Sequence, residues 1–160
     1  KRWEVTDRLL PIRAGVGVEG TWFSDALGLG ERVLVVGSFS GSAHVFRRKE
    51  SAWTPETRLA PDSSLPNSEL QIFGYSVATS DSWIAVGAPT LDDSVSGVVH
   101  LFHETSAGWT RAQVVGPVAA PGASGFGLEV AMTEDRLVVG SWSEDTYRGA
   151  VYVFRRVDSS

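Results

Sequence analysis

Short apolar runs bounded by glycine recur along the chain, and each has the length of a β-strand. The run 33–36 is mostly β-branched and lies between Gly30 and Gly37, which predicts a buried strand. No stretch shows the 3.6-residue periodicity of an amphipathic helix. The pattern therefore predicts an all-β fold.

Other runs alternate in residue type and predict strands with two distinct faces. Ser42, His44 and Phe46 are predicted to point to one side of a strand, and the residues between them to the other. The runs 98–102 and 150–154 alternate in the same way. Because both faces carry apolar bulk, we expect each sheet to be packed between neighbouring sheets.

These runs belong to a repeat of about 50 residues, a period typical of propellers and solenoids. In three copies a phenylalanine lies fourteen positions before a glycine: Phe23 and Gly37, Phe73 and Gly87, Phe126 and Gly140. A glycine also lies five positions before a second phenylalanine: Gly41 and Phe46, Gly97 and Phe102, Gly149 and Phe154. Tryptophan lies eight positions before proline at Trp3 and Pro11, Trp53 and Pro61, Trp109 and Pro117.

Each copy predicts four antiparallel strands, near 24–28, 33–38, 42–48 and 53–59 in the first copy and at the same offsets in the second. Repeated four-stranded sheets of this kind are the blades of a β-propeller. We therefore predict a propeller segment in a single domain, 1–160, with three blades at 22–61, 72–117 and 125–157.

The last predicted blade lacks its own outer strand, whereas the chain begins with a surplus one. Residues 1–11 match the Trp-to-Pro segments 53–61 and 109–117. They are predicted to form an outer strand that pairs beside residues 148–156. Three blades should not close a ring alone, because propellers typically have about 4–8.

The motifs resemble the FG-GAP repeat, in its bacterial variety. The resemblance rests on Phe73-Gly74 followed by Gly87-Ala88-Pro89, with Phe126-Gly127 and Gly140-Ser141 matching it, and it covers nearly the whole chain. It implies a propeller that binds ligands or partner subunits, as in the integrin α-subunit headpiece, and a location outside the cell or at its surface. The first copy departs from the pattern at Ser24 and Gly28.

The composition and net charge of the chain disfavour some classes of binding partner. The 160 residues are 42% hydrophobic, and 14 basic against 19 acidic residues give a net charge of -5, which disfavours nucleic acid and anionic membranes. No apolar run is long enough for a membrane span, and no secretory signal pattern is present.

The sequence contains no cysteine, which rules out disulfides and thiolate metal sites. The first residue is Lys rather than Met, so we expect a processed or trimmed product or a piece of a longer chain.

No metal or cofactor is predicted. Some FG-GAP proteins hold calcium in an Asp-rich loop between the first two strands, but the turns 28–32, 78–82 and 131–135 carry too few carboxylates for its six to eight oxygen ligands. His100 and His103 are three apart on a strand and so point to opposite faces. His44 and His100 share a repeat position with Tyr152, which indicates packing.

Candidate binding residues lie in the two connections that vary in length between copies, which emerge on the same face of a propeller. They are Trp142, Glu144, Asp145, Tyr147, Asp92 and Asp93. The alternative is that these loops vary because nothing constrains them. Trp3, Trp53 and Trp109 share a repeat position and are predicted to pack within the blades.

The sequence favours a non-catalytic binding scaffold for a protein or glycan ligand, since no nucleophile motif is present. The alternative is a carbohydrate-active propeller, a lectin or a glycosidase, in which Glu129 and Asp25 near the axis-lining first strands supply paired carboxylates. For assembly, we expect one of two arrangements. Either two copies form a six-bladed ring, in which the first strand of each chain completes the last blade of the other, or, preferably, further blades complete a larger ring.

Overall fold

A computed structural model describes residues 2–12, 22–118, 123 and 125–157. In these residues the chain forms eleven β-strands in three antiparallel sheets, with almost no helix. The prediction of an all-β fold is confirmed. Lys1 of the predicted strand 1–11 and residues 158–160 of the predicted domain lie outside the described residues.

The first sheet contains four strands in chain order, and each pairs with the next. They are β1 (Phe23–Leu29), β2 (Val33–Ser38), β3 (Ser42–Lys49) and β4 (Ala52–Leu59). Each predicted boundary in this sheet lies within one residue of the observed one, because glycine and polar turn residues mark the strand ends in the sequence.

The second sheet repeats this order with β5 (Ser76–Thr79), β6 (Trp83–Ala88), β7 (Val98–Thr105) and β8 (Gly108–Val115). A 3₁₀ turn at Ser68–Leu70 precedes it. The strand β5 begins two residues later than predicted, after Gly74, whose φ of +93° is left-handed rather than extended.

The third sheet has three strands, β9 (Phe126–Met132), β10 (Arg136–Ser141) and β11 (Ala150–Arg155), with β10 in the centre. A four-residue helical turn, Glu144–Tyr147, lies between β10 and β11. As predicted, the described residues include no fourth strand in this sheet.

The second sheet lies between the other two and shares an apolar core with each. The core towards the first sheet contains Val33, Val35, Ala43, Val45, Phe73, Val77, Ile84 and Val86. The core towards the third sheet contains Ala85, Val99, Val115, Phe126, Leu137 and Val139. The alternating runs of the sequence thus supply two buried faces to the middle sheet.

One aromatic arrangement recurs in all three sheets. The phenylalanine of each repeat that lies at or shortly before the first strand meets two rings of the third strand edge-on, with ring centroids 5.0–6.4 Å apart. The sets are Phe23, His44 and Phe46; Phe73, His100 and Phe102; and Phe126, Tyr152 and Phe154. His44 and His100 are therefore packing residues, as predicted from their exchange with tyrosine.

Residues 2–12 differ from the prediction, because they form no strand and do not pair with 148–156. The backbone N–H of Ile12 donates to Nδ1 of His44 at 3.1 Å, which holds this segment to the first sheet. Since the second sheet separates the first from the third, the segment does not reach β11 of its own chain. Trp3 is fully exposed, so the packing role predicted for it is not seen.

Candidate functional site

Strand direction places the candidate loops on one edge of the sheets, which we call the loop edge. It consists of the segments 39–41, 89–97 and 142–149, each of which follows the second strand of its sheet. Because neighbouring strands are antiparallel, the chain also enters each first strand at this edge.

Trp142 and Tyr147 form an exposed aromatic pair on the loop edge. Their ring centroids are 5.4 Å apart and their planes are tilted by 30°. Trp142 is 50% exposed and Tyr147 is 61% exposed. The Trp142 indole lies against the backbone of Gly125, whose N–H donates to Oγ of Ser143 at 3.1 Å. The pair is thus open to solvent on one side, while the Trp142 ring packs on the Gly125 backbone on the other.

The backbone beneath this pair adopts an uncommon conformation. Asp145, Thr146 and Tyr147 have φ values of 48°, 58° and 66°, which place three consecutive non-glycine residues in the left-handed region. A hydrogen bond of 3.1 Å from Gly149 N–H to the Glu144 carbonyl closes the turn. Such strain persists where the surroundings enforce it and is concentrated at functional sites.

Asp93 connects the two candidate loops. The Tyr147 hydroxyl lies 3.4 Å from Oδ2 of Asp93, a separation that is long for a hydrogen bond between oxygens. The contact therefore brings the loops together without fixing them rigidly. An aromatic pair and a carboxylate then share one surface.

Glu144 faces the sheet rather than this surface. Its Oε2 accepts a hydrogen bond of 2.7 Å from the Tyr152 hydroxyl. Burial, followed by the Glu144 contact, raises the pKa of Tyr152 to about 12. The Tyr152 hydroxyl therefore stays protonated and holds Glu144 as part of the loop's support.

Asp92 and Asp145 stabilise their own turns. Oδ1 of Asp92 accepts from the hydroxyl and the backbone N–H of Ser94 at 2.6 and 2.9 Å, and these bonds lower the pKa of Asp92. Asp145 contacts Arg148 at 3.4 Å in an exposed pair. Of the six predicted residues, the structure thus groups Trp142, Tyr147 and Asp93.

A cavity of about 500 Å³ lies where first strands of all three sheets approach one another. Its lining includes Asp25, Leu27, Phe39, Tyr75 and Glu129. Oδ2 of Asp25 accepts from the backbone N–H of Phe39 at 3.0 Å, and the Phe39 and Tyr75 rings are 6.1 Å apart. Both carboxylates predicted for the glycosidase alternative therefore face one cavity.

The sequence analysis missed Phe39 and Tyr75. The repeat contained a signal for the first, because Phe39 follows Gly37-Ser38 as Trp142 follows Gly140-Ser141. Tyr75 follows the Phe73-Gly74 pair directly. Aromatic side chains thus recur at the loop edge of more than one sheet.

The opposite edge carries the turns considered for calcium. Both carboxylate oxygens of Asp81 accept backbone N–H bonds from the first sheet's turn, donated by Glu31, Arg32 and Val33 at 2.8–2.9 Å. Burial alone would raise the pKa of Asp81, but these bonds outweigh it and the pKa is lowered. Among the described residues, no group of three or more Asp, Glu or His side chains is arranged to hold a metal ion.

None of the helical segments in the described part of the chain is long and apolar enough to cross a membrane. A comparison with curated proteins finds no match. The family model of the FG-GAP repeat matches residues 53–102 and 113–154, which together are more than half of the 160 residues. Each matched segment includes a Phe-Gly pair, the first two strands of its sheet and most of the third, so the chain belongs to the FG-GAP repeat family.

Proposed function

We propose that the chain is a non-catalytic binding module, in which the three sheets are blades of a β-propeller and the loop edge holds a protein or glycan ligand. FG-GAP repeats are commonly propeller interaction modules, which supports this class of function. The observation that carries the proposal is the exposed Trp142–Tyr147 pair on its left-handed turn, next to Asp93.

Tryptophan and tyrosine are the residue types that contribute most to binding energy at interfaces. A ring held in one orientation loses little conformational entropy when a ligand binds, so the supported turn favours tight binding. The nearby carboxylate adds a hydrogen-bond acceptor that suits hydroxyl groups, amides or basic side chains. The net charge of -5 disfavours nucleic acid as the ligand.

FG-GAP repeats occur in extracellular and cell-surface proteins, and we place this chain in the same setting. The proposal requires no cofactor. It leaves the identity of the ligand to experiment.

Two experiments test the binding function. The first is a glycan array, and the second is a pull-down of proteins with the immobilised wild-type chain as bait. We expect Trp142→Ala to weaken binding of the retained ligand roughly tenfold or more, while changing the free energy of unfolding by less than about 1 kcal/mol. Trp109→Ala is the matched control, because Trp109 packs against the core between the first two sheets. It should cost about 3 kcal/mol of stability without abolishing binding. Unchanged binding by Trp142→Ala would contradict the proposed site.

A carbohydrate-active function is the second candidate, because Asp25 and Glu129 line the same cavity with two aromatic rings. Glycoside hydrolysis uses a pair of carboxyl groups as acid and as base or nucleophile. A hydrolysis screen against common glycosides separates this function from binding alone. Turnover that is lost in Glu129→Gln would support the enzyme and overturn the non-catalytic proposal.

A further inference from the structure

The cavity of about 500 Å³ is formed by equivalent positions of the repeat in all three sheets. These positions lie two to four residues after the phenylalanine of each copy, and the residues that line the cavity are 25–27, 75–77 and 129–130. Phe39 from the loop edge completes the lining. Because each first strand contributes equivalent residues, the repeat itself creates this cavity.

Strand irregularities place the two carboxylates of the cavity. The pairing of β1 with β2 has a bulge that contains Asp25, and the pairing of β9 with β10 is irregular directly before Glu129. Bulges commonly redirect a side chain next to a binding site. The backbone N–H of Phe39 donates to Oδ2 of Asp25 at 3.0 Å, which ties this carboxylate to the segment that supplies the Phe39 ring.

The negative charge of the cavity is not balanced by a basic side chain. Among the described residues that line it, none is Lys, Arg or His. Elsewhere carboxylates are paired with arginine, as Asp62 is with Arg111. Within the described part of the chain, neither Asp25 nor Glu129 forms such an ion pair. The cavity therefore favours a ligand that carries positive charge.

The remaining walls of the cavity are aromatic and apolar. The ring centroids of Phe39 and Tyr75 are 6.1 Å apart and their planes are tilted by 56°. The faces of such rings attract cations that approach within about 6 Å. Leu27, Val77 and Val130 supply apolar surface. These walls suit a cation that is itself covered by methyl groups.

We infer that this cavity binds a compact organic cation with a quaternary or methylated ammonium group. A strongly hydrated ammonium or metal ion would lose its water against these walls and gain few oxygen ligands in return. A quaternary nitrogen has no N–H groups that need acceptors, so its methyl groups contact the apolar and aromatic walls. Asp25 and Glu129 supply the opposite charge. Trp142 does not line the cavity, so this site is independent of the function proposed above.

A pair of ligands of equal shape tests the charge recognition. Choline is titrated into the wild-type chain at low ionic strength, and NMR follows the backbone amides of 25–27 and 75–77. The control ligand is the uncharged isostere of choline, in which a tert-butyl group replaces the trimethylammonium group. We expect saturable shifts with choline and a Kd on the order of 1 mM. The isostere should bind at least about fivefold more weakly.

Three variants assign the binding to the cavity. Tyr75→Leu removes an aromatic ring, and Glu129→Gln removes a charge while keeping the size of the side chain. Each should weaken choline binding at least about threefold. Glu50→Gln is the matched control, because Glu50 is exposed in the β3–β4 turn at the opposite edge and its substitution changes the net charge equally. It should bind choline like the wild type.

Three results would overturn the inference. They are equal affinity for choline and its uncharged isostere, no saturable shift at the amides of the cavity, and an equal loss of affinity in Glu129→Gln and Glu50→Gln. Thermal melts of each variant establish that it is folded. The comparison of the two ligands needs only the wild-type chain, so it stands even where a variant does not fold.

Discussion

Two buried histidines make the stability of the protein depend on pH. Burial, followed by the charge of Arg58, lowers the pKa of His44 to about 4. Burial and the charge of Arg111, partly offset by Asp62, lower the pKa of His100 to about 4. Both rings are therefore neutral in the folded chain, whereas the unfolded chain takes up protons below about pH 6.5.

The free energy of unfolding should consequently have its full value above about pH 6.5. It should fall as the pH drops towards 4, because the unfolded chain then binds protons that the folded chain does not. Each histidine should contribute a loss on the order of 1–3 kcal/mol. His100→Phe should remove about half of this slope. It should do so without losing a hydrogen bond, since both ring nitrogens of His100 are buried without a partner in the described structure. Urea titrations from pH 7 to 4 measure the slope, and an unchanged slope in His100→Phe would contradict the prediction.

We expect alanine substitutions of the second-strand glycines to destabilise the chain to different degrees. Gly37→Ala and Gly87→Ala each place a methyl group against a backbone carbonyl of the next sheet, so each should cost roughly 1–3 kcal/mol or more. Gly140→Ala meets only ordinary contacts and should change stability by less than about 0.5 kcal/mol. Urea unfolding compares the three variants. Equal losses at all three positions would show that the glycines serve the strands themselves rather than the sheet contacts.

At the scale of elements, one carboxylate joins neighbouring turns where calcium was considered. Asp81 lies in the β5–β6 turn and accepts three backbone N–H groups from the β1–β2 turn. Its own φ of 71° is left-handed, a conformation that Asp and Asn tolerate better than other side chains. The two turns are therefore held together by hydrogen bonds between a carboxylate and backbone amides.

Asp81→Asn should test the charge alone, because Asn keeps one acceptor oxygen and tolerates the left-handed backbone. We expect a loss on the order of 1 kcal/mol at neutral pH, at the low end for a charged hydrogen bond because the carboxylate is partly solvated. The pKa of Asp81 is lowered by folding, so its contribution is present above the unfolded pKa and is lost as the pH falls through the folded one. The two proteins should therefore converge in stability once the pH lies below the lowered pKa of folded Asp81. A difference that persists there would rule out the charge as its origin.

The strands were predictable because local signals mark them. Glycines bound the run 33–36, and alternation identifies β3, so neither depended on distant contacts. The location of the candidate loops at one edge of the sheets was also predictable, because it follows from the alternating direction of the strands. The Trp142–Tyr147 contact was not, because three consecutive left-handed residues have no glycine to signal them.

The segment 2–12 shows a second reason why the sequence alone did not predict the structure. Its spacing from Trp3 to Pro11 matches an outer strand, but spacing does not give the location of the sheet it would join. Ile12 is held at the first sheet, and β11 lies beyond the second. Likewise, the sequence places Glu144 among the candidate binding residues of its loop, and only the tertiary contact with Tyr152 turns its side chain towards the sheet.

At the scale of the whole molecule, the three sheets form a stack with two different ends. The first sheet ends the stack with Ser24 and the exposed Leu27 and Leu29, and the third ends it with Gly140 and the exposed valines of β11. In repeat proteins each unit is stabilised mainly by its neighbours, so the terminal units are the weakest. The order of local stability along the chain should follow from this.

Hydrogen exchange should reveal this order in the third strands of the sheets. β3 and β7 are each paired on both sides, whereas within the described part of the chain β11 pairs with β10 alone. Alternate amides of β11 therefore point away from any partner strand and should exchange rapidly, while the amides of β3 and β7 should be protected throughout. NMR-detected exchange on dilute wild-type chain measures this, with β8 as the internal comparison, because it is an outer strand and should show the same alternation. Uniform protection of β11 would mean that another strand covers its open edge. The segment 3–11 of a second copy would then be the first candidate, because its Trp-to-Pro spacing matches that of the segments that contain the outer strands β4 and β8.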